Sequence, residues 1–281
     1  MKADVLIDIR AQLGEGPRWD APRRRLLWVD IEGCALHAWD GSDDRALPCG
    51  ARVGAAAPTA TGEVLVALAD RLAFVGEDGT LRDAAPFPHG PELRMNDGAC
   101  DPEGRFWVGS MRLDEGPGDA ALYRFDGREL VTVLTGIDLS NGIGWSPDHS
   151  LMYYVDSPTR RIDVFDYDGE AVNRRPFVTV DPGDGLPDGL AVDEEGGIWL
   201  ALWGGRAVRR YDPGGRLTAT IEVPAENVTA CCFGGDDGRT LYITTAAPDG
   251  RLYVAEPGIS GPPATPFRST APSDAEPTSD R

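Results

Sequence analysis

Leu26-Leu27-Trp28-Val29-Asp30 is the stretch on which the rest of the chain is patterned. It follows a turn-forming run rich in Asp, Pro and Arg and reads as a β-strand. Five further copies follow: Val64-Leu65-Val66-Ala67-Leu68, Phe106-Trp107-Val108-Gly109-Ser110, Met152-Tyr153-Tyr154-Val155-Asp156, Ile198-Trp199-Leu200-Ala201-Leu202 and Leu241-Tyr242-Ile243-Thr244-Thr245. Their first residues stand 38, 42, 46, 46 and 43 positions apart. Each copy leads into a second strand that closes in a turn: Ala35 to Asp40, Leu72 to Gly76, Leu122 to Gly127, Ile162 to Gly169, Val208 to Gly214 and Leu252 to Gly258. The pairs Asp78-Gly79, Asp126-Gly127, Asp168-Gly169 and Gly214-Gly215 supply the positive φ that tight hairpins need.

A period of 40 to 45 residues or so, with four strands in each unit, is that of a β-propeller. No helical periodicity competes with it. The expected fold is therefore all-β, a six-bladed propeller forming a single domain over residues 1–268. A ring of blades must close, because an unpaired edge strand templates aggregation. Val5-Leu6-Ile7-Asp8-Ile9 precedes the first copy and is the natural strand to complete the sixth blade. Residues 269–281 are too polar and Pro-rich to bury surface and are expected to form a disordered tail.

Composition narrows the function. The chain has 281 residues with 46 acidic against 27 basic side chains, a formal charge of −19, which repels nucleic acid and anionic membrane surfaces. Neither is an expected partner. Cys34, Cys49, Cys100, Cys231 and Cys232 have no zinc spacing, and their odd number points to free thiols in a reducing compartment. With no apolar signal core and no apolar run of the ~18 residues that a membrane span needs, a cytoplasmic protein is expected, as a monomer or weak homo-oligomer.

The repeat also serves as a ruler. Ten or eleven residues before four of the six anchor strands stand Glu15, Asn96, Asn141 and Asp188. In the other two blades the same count falls near Ala55 and Cys231, both small. The strand before each anchor is the innermost of its blade, so equivalent positions converge on the axis. Gly16, Gly142 and Gly189 directly follow three of the four polar residues and permit close backbone approach. Carboxylate and amide oxygens without an in-phase His or Cys form a hard cage suited to Ca²⁺, Mg²⁺ or Mn²⁺. His37, His89 and His149 fall out of register and are read as surface or structural groups.

Several motifs occur in order: Leu13-Gly14-Glu15-Gly16-Pro17-Arg18-Trp19, Arg94-Met95-Asn96-Asp97-Gly98, Phe106 to Met111, Ser140-Asn141-Gly142, Pro187-Asp188-Gly189 and Ala201 to Gly205. Together they resemble the regucalcin and gluconolactonase family of sugar lactonases, also called the senescence marker protein family, over residues 10 to 268. The segment Asn227 to Gly235 resembles the bacterial sugar-acid lactonases in particular. The resemblance implies that Glu15, Asn141 and Asp188 bind one divalent cation and that Asp188 doubles as general base. Ca²⁺ is the first choice, with Mg²⁺, Mn²⁺, Zn²⁺ and Fe²⁺ as alternatives. It further implies that Arg94 and Asn96 contact a small-molecule sugar lactone, with Glu115 as a third substrate contact and Asp119 as its rival. Thr245 to Arg251 is shorter than the family's usual insertion before the last strand.

The expected reaction is hydrolysis of an aldonolactone such as glucono-, xylono- or arabinonolactone to the sugar acid. The same cage could instead serve another ester or a phosphotriester, whose P=O group it can also polarise, or a cation-binding propeller without enzymatic activity.

Overall fold

The computed structural model describes residues 1–269, so nearly all of the expected tail, residues 270–281, lies outside the described residues. Six four-stranded antiparallel sheets stand around one axis as the blades of a β-propeller, five of them meanders in strand order and the sixth completed by the N-terminal strand. Their innermost strands are Gly14–Asp20, Val53–Pro58, Leu93–Cys100, Ser140–Trp145, Leu186–Val192 and Val228–Gly234, blades 1 to 6 in turn. The anchor copies form the second strand of every blade. They are the most apolar strands because each is covered on both faces by neighbouring blades, and Trp28, Trp107 and Trp199 are fully or almost fully buried in them.

Ring closure follows the sequence expectation. Asp4–Ile7 pairs antiparallel with Leu252–Ala255 and becomes the outer strand of blade 6. Stacking of Trp19 from blade 1 on Tyr242 from blade 6, at 5.5 Å between ring centroids, seals the same seam.

One turn chemistry recurs on the face that we call the rear. Asp101 accepts from its own turn at Arg105 N (2.9 Å) and from Trp107 Nε1 six residues on (2.8 Å). Asp193 repeats this with Gly197 N (2.8 Å) and Trp199 Nε1 (2.8 Å). A guanidinium neutralises each buried carboxylate, Arg105 at 2.7 Å and Arg210 at 2.7 Å. The strand-entry turn and the core tryptophan are thus tied by one side chain, which explains the fixed spacing of Asp and Trp.

The five cysteines are all unpaired. His37 is buried against Asp44 and stacked on Trp28, a structural role. Among the described residues, no helix is long and apolar enough to cross a membrane.

Candidate active site

Every innermost strand breaks its ladder once, with a bulge, and the six breaks lie at one level of the ring. The register shifts between Glu15 and Arg18, Val53 and Ala55, Met95 and Gly98, Ser140 and Ile143, Pro187 and Leu190, and Val228 and Ala230. A bulge leaves two residues opposite one and re-aims the side chain it carries. Asn96, Asn141 and Asp188 occupy these bulges, and Glu15 stands one residue ahead of its own. Glu15, Asn96, Asn141 and Asp188 are all buried, at 4 to 5 % exposure, although three of the four come from different thirds of the chain.

Blade 2 keeps to the ruler and blade 6 departs from it. Gly54 and Thr229 hold their bulges, so Cys231 is not the sixth-blade equivalent. It pairs with Ile243 farther toward the rear. The hairpin of blade 6 has five ladder pairs between turn and bulge against three in blade 3, which adds two residues to each strand and defeats a fixed count. Thr229 donates to Gly14 O at 2.6 Å and pairs with Thr244, so it locks blade 6 onto blade 1.

The Asn141-Gly142 and Asp188-Gly189 pairs lie within strands, not in turns. A Cβ on Gly142 would sit 2.6 Å from Asp188 O, and one on Gly189 2.4 Å from the Ala230 Cβ. Glycine is required because adjacent inner strands approach too closely for a side chain.

Hydrogen bonds orient the amides. Asn141 Nδ2 donates to Ser157 Oγ at 2.9 Å, which turns its Oδ1 inward, where Asn96 Nδ2 also donates to it at 3.1 Å. Asn96 Nδ2 reaches Ser140 O as well (2.8 Å), and its Oδ1 accepts from Arg94 Nη1 at 2.7 Å. Arg94, Asn96 and Asn141 therefore form one chain of donors ending on an oxygen that faces the axis.

The carboxylates are in the opposite condition. Glu15 Oε2 accepts only from its own Gly16 N (3.0 Å), and Asp188 Oδ1 is buried with no hydrogen-bond partner. Burial, then the charge of Asp97, push the Glu15 pKa up to about 8. Burial and the charge of Glu15 raise that of Asp188 well above the ordinary carboxylate range. A buried unpaired acceptor is costly unless something positive meets it. Among the described residues no three His, Cys, Asp or Glu side chains converge as a metal-binding group. A cation here would thus rest on two carboxylates and the Asn141 amide oxygen, an all-oxygen donor set that fits a hard divalent ion.

Comparison with known proteins identifies the family. Residues 13–247 match the family model described as the SMP-30/Gluconolactonase/LRE-like region. The chain belongs to this family. YvrE of Bacillus subtilis (strain 168), assigned by name to the sugar lactone lactonases, is 40 % identical over 256 residues, covering 88 % of this chain and 87 % of its own. Pentonolactonase XacC of Haloferax volcanii is 39 % identical over 259 residues, covering 89 % and 87 %. The solved structure of a calcium-binding protein, regucalcin, from Agrobacterium tumefaciens superposes with a TM-score of 0.91 at 27 % identity, covering 95 % of this chain and 97 % of that one. The protein is accordingly a lactonase.

Two residues of the lactonase escaped the sequence ruler. Asp97, beside Asn96 in the same bulge, is a third buried carboxylate near the axis, turned to the rear onto Arg18 Nη2 at 3.2 Å. Arg18 also donates to Pro17 O (2.8 Å) and Gly98 O (2.9 Å) and is itself buried. The sequence signal was the residue type: an Arg and an Asp on strands otherwise buried throughout must pair. Of the rival rim acids, Asp119 is engaged by Arg112 at 3.1 Å. Glu115, exposed on the same loop, is close enough to Arg94 for its charge to act on the guanidinium, as Glu32 and Glu15 do.

Proposed function

We propose that the protein is a divalent-cation-dependent sugar lactonase that opens an aldonolactone to its sugar acid, with Glu15, Asn141 and Asp188 holding the cation and Asp188 serving as general base. The observation that carries this reading is the orphaned Asp188 Oδ1, buried beside a second carboxylate that shares its raised proton affinity. A hard cation suits such a pair, and the calcium named for the Agrobacterium relative makes Ca²⁺ the first choice.

When bound, a divalent cation supplies Lewis acidity toward the lactone carbonyl and its developing oxyanion. The chain's own groups do the rest. Arg94 and Asn96 bind ring oxygens and fix the lactone face; Glu115 receives a ring hydroxyl at the rim. The Asp188 carboxylate oxygen that does not hold the cation accepts a proton from water as the water oxygen bonds to the carbonyl carbon. The carbonyl carbon to ring oxygen bond then breaks, and the proton passes to that ring oxygen, which leaves as a hydroxyl. Lactone and water become one hydroxy acid with no other reactant. A neutral substrate also suits a chain of charge −19 better than an anionic one.

The test is turnover of glucono-, xylono- and arabinonolactone by protein stripped with a chelator and then reloaded with Ca²⁺, Mg²⁺, Mn²⁺ or Zn²⁺. The reading requires loss on stripping and recovery on reloading. Full activity in stripped protein would falsify it.

A further inference from the structure

On the side of the carboxylates away from Arg94, the axial channel widens into a cavity of about 370 Å³, within the size range of small-molecule pockets. Ile143, Leu190 and Phe233 give it apolar walls. The segment after the last strand supplies another wall through Ala264 and Thr265. It is pinned at both ends, by Glu194 N to Ser260 O (3.0 Å) and Gly261 N to Gly238 O (3.0 Å), then by Phe267 N to Pro58 O (2.8 Å) and Arg268 N to Gly104 O (2.8 Å).

Among the described residues, the two fully buried side-chain atoms of the lining residues that lack a partner are both donors. Arg18 lines it, is buried, and has an Nε–H with no partner; the Trp145 Nε1–H, on another lining residue, is likewise buried and unpartnered. The two acids on the wall are already engaged, Asp193 by Arg210 and Trp199, Glu194 by the Ser260 hydroxyl. Free donors in an apolar wall select a ligand with acceptor oxygens.

We propose that this rear cavity is a second small-molecule site, for a neutral ligand that presents a carbonyl or hydroxyl oxygen on a compact apolar body. Arg18 links it to the front of the channel. The same guanidinium holds Asp97, whose charge acts on both Glu15 and Asp188. A ligand that draws on Arg18 Nε alters that hold and so changes the affinity of the front carboxylates for a cation, with the reciprocal effect required by linkage. This coupling rests on the proposed cation reading; the second site itself does not.

Benzamide, and toluene as a match without the acceptor, test the proposal by ligand-observed NMR titration of the full chain, with and without Ca²⁺. Benzamide is expected to bind saturably, about tenfold tighter than toluene, and gluconolactone is expected not to displace it. Ala264→Trp fills the cavity from the pinned segment and should abolish benzamide binding with lactone turnover unchanged; Thr265→Trp repeats the test if the first variant fails to fold. Ca²⁺ should shift benzamide affinity by about fivefold. No saturable benzamide binding, binding that survives both substitutions, or displacement by gluconolactone each overturns the second site. Benzamide binding that ignores a bound Ca²⁺ overturns the coupling. Failure of Ca²⁺ to bind at all overturns the cation reading and leaves the second site standing.

Discussion

The two ends of the axial channel are lined by the same six strands and have opposite chemistry. Toward the front, the bulges present acceptors: the Glu15 and Asp188 carboxylates and the inward Asn141 oxygen, with Asp188 Oδ1 unpartnered. Toward the rear, the wall is apolar and its unpartnered atoms are donors on Arg18 and Trp145. Between them the Arg18 and Asp97 pair, both buried, separates the two halves. Six strands in one ring can therefore carry two chemistries at two levels, because a bulge re-aims the side chain at one level only.

Removing the unpartnered acceptor breaks this contrast most severely. Asp188→Asn should lower lactone turnover about 10³-fold with an unchanged circular dichroism spectrum; activity near wild type would reassign the base. Asn96→Ala should weaken the cation about 10- to 100-fold by freeing the Asn141 amide to rotate, as read by Ca²⁺ titration. Gly142→Ala tests the close approach that places Asp188. Its Cβ would meet Asp188 O at 2.6 Å, so a loss of about 1–3 kcal/mol in denaturant unfolding is expected, together with a loss of turnover.

The acceptor-rich end also dictates a pH profile. Without a cation, folded Glu15 keeps its proton up to about pH 8, whereas the unfolded chain releases it around its ordinary value of 4.5. Between those values the folded state binds more protons, so stability falls as pH rises through this window. Denaturant unfolding of stripped protein from pH 4 to 9 should show the decline, and Glu15→Gln should flatten it. Bound Ca²⁺ should flatten it too. The smallest effect belongs to the rim: Glu115→Gln should raise KM about threefold with kcat little changed, whereas Asp119→Asn, which removes only an ion pair to Arg112, should leave both alone.

Much of this was legible in the chain. Six apolar anchors separated by turns could bury themselves only in a ring of sheets, and the N-terminal strand was needed to close it. Glu15, Asn96, Asn141 and Asp188 could be found by counting because the three-pair stretch from turn to bulge recurs in their blades. Cys231 falls off the bulge because blade 6 has five pairs in that stretch, which no composition signal announces. Gly142 and Gly189 serve as clearance for a neighbouring strand, whereas Gly79, Gly127 and Gly169 serve turns.

The sequence by itself determined the repeat, the closing strand and the residue types at the axis, since these follow from apolar periodicity and spacing along one chain. Which way those side chains face was decided only in three dimensions. Asn141 is oriented by Ser157 and by Asn96 of another blade, and Asp97 is withdrawn from the front by Arg18, 79 residues away. Such orientations depend on hydrogen bonds between blades, and those partners meet only after the ring has closed.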